Sequence, residues 1–254
     1  MTNVGVLGAS GRMGREVCRA VDAADDLTLV AAVDPHHEGA DLGNLVVAGS
    51  PDAFEGVDVA VDFTTPGSVI ENARWCLGRG LHMVIGTTGI DADGLEEIRR
   101  LTGSANANAN AIVAPNFAIG AALMMRFAEQ AARYFDAAEV IDLHHDRKVD
   151  APSGTAITTA QRIGAARAGA WEAPGGDGSH PGARGADVEG IRVHGVRLPG
   201  LLAHQEVIFG SPGQTLTVRH DTIDRSAFIP GVLLAIRSVT DRPGLTVGLD
   251  ALLD

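Results

Sequence analysis

Five short apolar runs in the first 116 residues constrain the fold more than any other feature. They are VGVLGA (4–9), TLVAAV (28–33), VDVAVDFT (57–64), HMVIGTT (82–88) and AIVAPN (111–116). Strands that are apolar on both faces belong to parallel sheets that helices cover on both sides. Helices are predicted between the runs at 12–23, 67–78 and 91–102. The first part is therefore predicted to be α/β, a Rossmann-type doubly wound parallel sheet.

The pattern changes after residue 116 and predicts a second domain of α+β type. Alternating strands indicate an antiparallel or mixed sheet with one solvated face. The predicted elements are a helix at 118–134, a strand at 138–145, a helix opening near Ser153, and strands at 191–198, 204–211 and 214–223. The Gly- and Pro-rich segment 171–190 predicts a mobile loop, and 105–111 a surface connection. The end of the chain predicts a helix and a short strand, and the pattern leaves open which domain they join.

Composition limits the partners of this chain. With 254 residues and 45% hydrophobic residues, it is long and apolar enough for a substantial core. A net charge of -12 argues against a nucleic-acid partner or an anionic membrane surface. No apolar run approaches the roughly 18 residues of a membrane span, and the start MTNVGVLGAS lacks signal-peptide features, so a cytoplasmic protein is expected. Cys18 and Cys76 are isolated and are interpreted as core residues, and no metal site is predicted.

The segment GASGRMG follows the first predicted strand and opens the first helix. In that context glycines allow a tight turn and close approach of a pyrophosphate, which the helix N-terminus then binds. Asp34 ends the next strand, where a carboxylate accepts hydrogen bonds from the adenine ribose. These observations predict a nicotinamide dinucleotide site; the alternative is a tight turn without a ligand. The candidate contacts in the turn are Gly8, Ala9, Ser10, Gly11, Arg12 and Met13.

Two further turns end the fourth and fifth strands, at the sheet edge where doubly wound folds bind ligands. They are candidates to hold the nicotinamide and its ribose, although small residues in tight loops explain each turn equally well alone. Their residues are Gly86, Thr87, Thr88, Ala114, Pro115, Asn116 and Phe117. Asp34 favours an unphosphorylated ribose, whereas His36 and His37 offer donors to a 2′-phosphate. The choice between NADH and NADPH stays open, and use of both is expected.

The stretch HHDRKVDAPSGTA, residues 144–156, contains the only lysine, whereas the chain has nineteen arginines. A compact ammonium at Lys148, close in sequence to His144 and His145, indicates a function that Arg does not serve. Ser153, Gly154 and Thr155 start a helix, and a helix start with free N–H groups binds anions. Together these residues suit a small dicarboxylate substrate. The alternatives are that Ser153 is only an N-cap beside solvated residues, or, more weakly, that the histidines bind a metal.

These motifs resemble the dihydrodipicolinate reductases, also called 4-hydroxy-tetrahydrodipicolinate reductases, of bacterial lysine biosynthesis. The resemblance runs along the whole chain and includes GASGRMG, VDFTTP, GTTG, APNFAIG, HHDRKVDAPSGTA and DRSAFIPG. It implies NADH- or NADPH-dependent reduction of 4-hydroxy-tetrahydrodipicolinate to tetrahydrodipicolinate. It also implies a dinucleotide-binding domain of residues 1–116 completed by 226–254, a substrate-binding and oligomerisation domain of residues 117–225, and a homotetramer.

The resemblance further implies roles for single residues. His144 is similar to the family's catalytic proton donor and His145 to its substrate-binding neighbour. Lys148 resembles a second donor or carboxylate anchor, and Gly154 and Thr155 resemble residues that bind a substrate carboxylate. Arg225 stands where the family has an arginine near the cofactor. Pro35 departs from the family, in which many members place an Arg there to meet the 2′-phosphate, so strong NADPH preference is not implied.

Two other functions fit part of the pattern. Another two-domain NAD(P)-dependent dehydrogenase for a small anionic substrate shares the dinucleotide turn but has no reason to carry HHDRKVDAPSGTA. A non-catalytic dinucleotide-sensing module makes the paired histidines and the lysine incidental. Oxidation of NADH on addition of substrate distinguishes an enzyme from such a module.

Overall fold

The computed structural model describes residues 1–103, 108–167, 171 and 179–253. The chain divides into two compact units: unit 1 comprises Met1–Phe117 and Phe228–Asp254, and unit 2 comprises Ala118–Ala227. None of the helices within the described ranges is both long and apolar enough to cross a membrane.

The described residues form eleven strands and six α-helices. The strands are β1 Thr2–Leu7, β2 Leu27–Val33, β3 Val59–Asp62, β4 His82–Ile85, β5 Ala111–Val113, β6 Ala137–His144, β7 Ala186–Val188, β8 Ile191–Arg197, β9 Ala203–Ser211, β10 Gln214–Thr222 and β11 Leu245–Val247. The helices are α1 Arg12–Asp22, α2 Val69–Leu77, α3 Ala92–Thr102, α4 Ile119–Ala131, α5 Gly154–Ala166 and α6 Ile229–Ser238.

Unit 1 contains a six-stranded sheet in the order β11-β5-β4-β3-β1-β2. All of its pairings are parallel, and all four residues of β3 are buried, as strands covered on both faces require. This confirms the predicted doubly wound sheet. The strand order reverses between β1 and β3, because β2 lies on one side of β1 and the following strands on the other, and ligands of such folds bind at the carboxyl ends of the strands beside that point. Cys18 and Cys76 are buried core residues as predicted, and burial raises the pKa of each thiol to about 12.

The end of the chain belongs to unit 1. Strand β11 pairs in parallel with β5, with Leu245 opposite Ala111. The Asn110 amide donates hydrogen bonds to the carbonyls of Val239 and Thr240 at 2.9 and 3.0 Å. Gly231 lets α6 pack closely against the backbone of Phe117, because a Cβ there would lie 2.0 Å from the Phe117 carbonyl oxygen. A sheet that would otherwise end at β5 is thus extended by a segment from the far end of the sequence.

Unit 2 contains a five-stranded sheet in the order β10-β9-β6-β8-β7. Strands β6 and β8 are parallel and the other pairings are antiparallel, so the sheet is mixed, as one of the two predicted arrangements. Residues Val140, Ile163 and Phe209 are fully buried in a core between the sheet and the helices α4 and α5. Strand β6 alternates, burying Ala138, Val140 and Asp142 and leaving the residues between them half-buried.

Two loop predictions are partly wrong. Within segment 171–190, residues Ala186–Val188 form a strand that pairs with β8 through a two-residue turn at Glu189 and Gly190. Both turn residues have positive φ, 54° and 79°, as in the tight turns typical of hairpins, and Gly-rich composition obscured this strand. Residues 172–178 lie outside the described ranges. Of the predicted surface connection 105–111, residues 105–107 are also outside, whereas Ala109 and Ala111 are buried in the core.

Replacing Gly231 with Ala should destabilise unit 1. Alanine favours helices, but the added Cβ meets a backbone oxygen that cannot move without shifting the chain. The free energy of unfolding should therefore fall by about 1–3 kcal/mol. Gly67→Ala is the matched control, because nothing lies within 4 Å of a Cβ there. Urea unfolding of both variants gives the comparison, and equal stability of the two would contradict the packing described for α6.

Candidate functional site

The turn after β1 has the geometry of a phosphate-binding loop. Gly8 has φ +75°, and its N–H donates to the Val33 carbonyl oxygen at 2.8 Å. A Cβ on Gly14 would lie 2.1 Å from the Gly8 oxygen, so only glycine allows α1 to pack this close to the turn. Gly11 is the N-cap of α1 and no side chain caps this helix start. The first N–H groups of α1 therefore remain available to an anion.

Asp34 follows β2 directly and is buried, with 7% of its surface exposed. Its carboxylate accepts hydrogen bonds from the backbone N–H of Ser10 at 3.3 Å and of His36 at 3.1 Å. The Nδ1 atom of His37 lies 3.1 Å from the same carboxylate. Asp34 is thus fixed beside the phosphate-binding turn, next to one of the two histidines that the sequence offered as donors.

The structure brings the turn residues and Asp34 together, and their exposure differs. Gly11 and Arg12 are exposed, whereas Ala9 is buried and can offer a ligand only its backbone. The Ser10 hydroxyl is buried and has no hydrogen-bond partner among the described residues. A buried hydroxyl without a partner is unfavourable, so a ligand phosphate or hydroxyl at this position would satisfy it. The turn therefore fits a dinucleotide.

A buried carboxylate that sequence reasoning missed holds the turn after β4. Asp62, the last residue of β3, is fully buried and accepts hydrogen bonds from the hydroxyls of Thr64 and Thr87 at 2.7 and 2.8 Å and from the Asn72 amide at 2.8 Å. The Thr87 hydroxyl therefore points inward, and Thr88 is the exposed side chain of this turn. The run of polar residues after an apolar strand in VDFTTP was the available signal.

The other predicted cofactor residues divide into packing and exposed positions. A Cβ on Gly86 would lie 2.2 Å from the Phe63 ring, which also packs against Phe117 with ring centroids 5.9 Å apart. Ala114 and Phe117 are buried, while Pro115 is exposed and Asn116 half-buried. Arg225 belongs to unit 2 and begins a short 3₁₀ helix, three residues before the chain returns to unit 1.

His144 ends β6 beside a buried carboxylate of the same strand. Its Nδ1 atom lies 2.8 Å from Oδ1 of Asp142, whose side chain is fully buried. Arg197 of β8 donates from Nη2 to Oδ2 of Asp142 at 2.9 Å, and the Ser153 backbone N–H donates to the same oxygen at 2.8 Å. Burial alone would raise the pKa of Asp142, but the donors of His144, Arg197 and Ser153 outweigh it and hold that pKa well below its usual range.

The start of α5 lies against the same carboxylate. The Ser153 hydroxyl caps the helix by accepting a hydrogen bond from the Ala156 N–H at 3.2 Å. Ser153 is buried, so its predicted role in substrate binding competes with this cap. Gly154 is exposed and nothing lies within 4 Å of a Cβ built on it. The backbone at residues 154 and 155 therefore has open space in front of it, as an anion site at a helix start needs.

Lys148 is held by Asp150. Its Nζ donates to both carboxylate oxygens at 2.7 and 2.8 Å, which lowers the pKa of Asp150. The Asp150 carbonyl oxygen in turn accepts a hydrogen bond from Arg197 at 2.6 Å, so Lys148 joins the network around Asp142. The Lys148 side chain is only 22% exposed and is not the solvated lysine of the alternative interpretation.

His145 directly follows β6. Its Nδ1 atom is buried and has no hydrogen-bond partner among the described residues, which leaves that nitrogen for a ligand. In the same described part of the chain, no group of three His, Cys, Asp or Glu side chains could hold a metal ion.

Sequence reasoning missed Asp142, Asp150 and Arg197. A signal for Asp142 was present, because an acid stands at a position of β6 where the alternation predicts burial. Arg197 lies 55 residues further along the chain, and nothing in its local sequence identifies its partner.

The fully buried Asp142 should make stability depend on pH. Asp142→Asn leaves Arg197 without its anion, so the free energy of unfolding should fall by about 3–5 kcal/mol at pH 7. Because the folded pKa is lowered, wild type holds this advantage above about pH 4 and loses it as the pH falls further. Urea unfolding at pH 7 and pH 3 measures the difference, and an equal gap at both values would contradict an ionised Asp142.

Comparison with known proteins gives one family. The family model described as "Dihydrodipicolinate reductase, N-terminus" matches residues 2–117, and that described as "Dihydrodipicolinate reductase, C-terminus" matches 120–253. A 4-hydroxy-tetrahydrodipicolinate reductase of Nocardia farcinica is 54% identical over 99% of this chain and 98% of its own. That of Cutibacterium acnes is 52% identical over 100% of this chain and 99% of its own.

Solved structures agree. A dipicolinate-bound dihydrodipicolinate reductase from Paenisporosarcina sp. TG-14 superposes with a TM-score of 0.84, 40% identity and 99% coverage of both chains. An amine dehydrogenase from Mycobacterium smegmatis, at 14% identity and a TM-score of 0.62 over 98% of this chain and 95% of its own, shares only the fold. The chain therefore belongs to the dihydrodipicolinate reductase family, oxidoreductases of lysine biosynthesis that use NADH or NADPH.

Proposed function

We propose that this chain reduces 4-hydroxy-tetrahydrodipicolinate to tetrahydrodipicolinate, with His144 as the proton donor. Lys148 and the start of α5 at Gly154 and Thr155 bind the substrate carboxylates, and His145 contacts the substrate through its buried Nδ1. The related enzyme from Paenisporosarcina binds dipicolinate, a planar dicarboxylate, which supports a dicarboxylate ligand for this chain as well.

One observation carries the proposal: an imidazole and a helix start converge on a single buried carboxylate. Asp142 contacts His144 Nδ1 at 2.8 Å and accepts the Ser153 N–H at 2.8 Å. An imidazole, the side chain that most often serves as a general acid, and a site for anions are therefore held close together. A dicarboxylate that must receive a proton needs this combination.

The reaction adds one hydride and one proton to the substrate. After loss of water the substrate is a conjugated cyclic imine, and the bound nicotinamide supplies the hydride. The electron pair of the reduced double bond must then take up a proton, which His144 donates as imidazolium and so returns to neutral. Lys148 neutralises a substrate carboxylate, since its ammonium is already fixed in position by Asp150.

The dinucleotide is assigned to the carboxyl edge of the sheet in unit 1. We propose that its pyrophosphate binds the turn from Gly8 to Met13 and that Asp34 accepts a hydrogen bond from the adenine ribose. Of the other candidates, Thr88 and Asn116 offer side chains, whereas Gly86, Thr87, Ala114, Pro115 and Phe117 shape the loops or contribute backbone atoms. Arg225 is assigned to the cofactor on the resemblance alone.

A homotetramer is proposed from the resemblance, and the face of the unit 2 sheet that points away from α4 and α5 is a candidate for contacts between subunits. Ile141, Leu143 and Ile208 are half-buried at the alternate positions of β6 and β9, opposite to those that pack on α4 and α5. The Glu139–His194 pair at 2.8 Å lies on the same face. Contacts between subunits typically have an apolar centre and a polar rim. A cytoplasmic location is proposed because the substrates of the family are metabolites of amino-acid biosynthesis.

Replacing His144 or Lys148 should reduce turnover without weakening dinucleotide binding. Loss of a proton donor costs about 10²–10⁴-fold, so His144→Gln should lower kcat by roughly 100-fold or more. Lys148→Arg keeps the charge but changes donor geometry, and kcat/KM should fall by about 10-fold or more. Oxidation of NADH and NADPH at 340 nm with freshly prepared substrate is the assay.

The control for this assay is the Kd for NADH, measured by fluorescence titration of each variant. Unchanged Kd values with lost activity support the assignments, whereas wild-type kcat/KM in Lys148→Arg excludes the role of the lysine. No oxidation by wild type with either cofactor would overturn the proposed function. The ratio of the two wild-type rates also measures what His36 and His37 contribute beside Asp34.

Gly154→Ala tests the carboxylate site without disturbing the fold. Nothing lies within 4 Å of a Cβ at this position, and Ala suits a helix better than Gly, so the melting temperature should stay equal or rise. The methyl group occupies the space in front of the helix start, and the Kd for dipicolinate should increase by about 10-fold or more. Calorimetric titration measures the Kd, and a thermal unfolding scan measures the melting temperature. Unweakened dipicolinate binding would show that the anion binds elsewhere.

A further inference from the structure

We infer that Asp142 is a positioning residue for proton transfer by His144. This inference rests on the proposed role of His144 as proton donor and adds to it the group that fixes the state of its imidazole. Asp142 itself is fully buried and is separated from any ligand by its own donors.

The contact between Asp142 and His144 fixes the position of one imidazole proton. Oδ1 of Asp142 lies 2.8 Å from Nδ1 of His144. An ionised carboxylate has no proton to donate, so the proton of this contact must sit on Nδ1. The other ring nitrogen, Nε2, lies on the opposite side of the imidazole, and it is the atom through which His144 exchanges a proton with the substrate.

The same carboxylate serves His144 before and after the transfer. As imidazolium, the ring carries protons on both nitrogens, and its Nδ1 faces Asp142. The Nε2 proton then passes to the carbon that holds the electron pair of the reduced double bond, and the ring becomes neutral with its proton still on Nδ1. Asp142 faces the Nδ1 proton in both states and never takes a proton itself.

Arg197 makes this arrangement compatible with an anionic substrate. Its Nη2 donates to Asp142 Oδ2 at 2.9 Å, and its side chain is only 16% exposed. The guanidinium also donates to the Asp142 and Val196 carbonyl oxygens at 3.3 and 2.8 Å, which locks its geometry. Because Arg197 offsets the charge of Asp142, that carboxylate does not repel the carboxylates that the helix start is proposed to bind.

The neighbours of Asp142 across the sheet carry no charge. Gly195 of β8 and Gln205 of β9 stand opposite it. The Gln205 amide donates to the Thr159 hydroxyl at 2.7 Å and is thereby directed at α5. Among the described residues, the charged groups in contact with Asp142 are thus His144 and Arg197, so removal of the carboxylate acts on these two.

A double-mutant cycle tests the inference. If Asp142 acts through His144, Asp142→Asn should lower kcat by about 10- to 100-fold in the wild-type background and by less than 2-fold in the His144→Gln background. The matched control is Asp221→Asn, because Asp221 also contacts a histidine Nδ1 at 2.7 Å and an arginine at 3.0 Å, but on β10. That variant should leave kcat unchanged.

The outcomes separate this inference from the proposed function. Equal losses from Asp142→Asn in both backgrounds, or none in either, would overturn the inference and leave His144 as the donor. Wild-type kcat in His144→Gln would overturn the proposed role of His144, and with it this inference. The Kd for NADH and the near-UV circular dichroism spectrum confirm that each variant is folded.

A second measurement does not depend on the stability of the variant. In ¹⁵N-labelled wild type, the ring signals of His144 are assigned by their absence in His144→Gln. The neutral ring should show the pyrrole-type shift at Nδ1 and the pyridine-type shift at Nε2. The reverse pattern would mean that Asp142 does not hold the Nδ1 proton, and the inference would be overturned.

Discussion

A central strand of each unit carries a fully buried aspartate, Asp62 at the end of β3 and Asp142 two residues before the end of β6, and the loops of both candidate sites depend on these two carboxylates. A buried carboxylate is tolerated only when donors surround it, so its position dictates where several neighbouring groups must stand. Asp62 draws two threonine hydroxyls and an asparagine amide onto the end of β3. Asp142 draws a histidine, an arginine and a helix start onto the end of β6.

The two carboxylates differ in what they hold. The donors of Asp62 are neutral and come from two loops and from Asn72 of α2, so this residue holds the loops of a candidate site in place without adding a mobile proton. Asp142 contacts a group that titrates and a group that does not. Its environment therefore couples the geometry of β6 to the protonation chemistry of His144. A buried acid at or near the carboxyl end of a strand thus holds loops in one unit, and in the other it is proposed to position a proton donor.

The sequence predicted those parts of the fold that local patterns determine. Runs such as VDVAVDFT are apolar on both faces and fit only a sheet that helices cover on both sides. The glycines of GASGRMG fit a tight turn between a strand and a helix. Strand β7 was missed because its turn at Glu189 and Gly190 lies in a segment whose composition resembles a loop. The Asp142–Arg197 pair was missed because it joins residues 55 positions apart, and no local pattern encodes that distance.

Asp34 takes part both in the proposed phosphate-binding turn and in the proposed contact with the adenine ribose. This limits how preference for NADH or NADPH can be changed. Asp34 accepts hydrogen bonds from the N–H groups of Ser10 and His36, so its carboxylate is part of the scaffold of the turn. Removing it to admit a 2′-phosphate would leave those donors without an acceptor. The side chains of residues 35–37 are exposed, and of these three only that of His37 contacts Asp34, at 3.1 Å. At the proposed dinucleotide site we therefore expect discrimination between NADH and NADPH to be adjusted at Pro35, His36 and His37, while Asp34 stays in place.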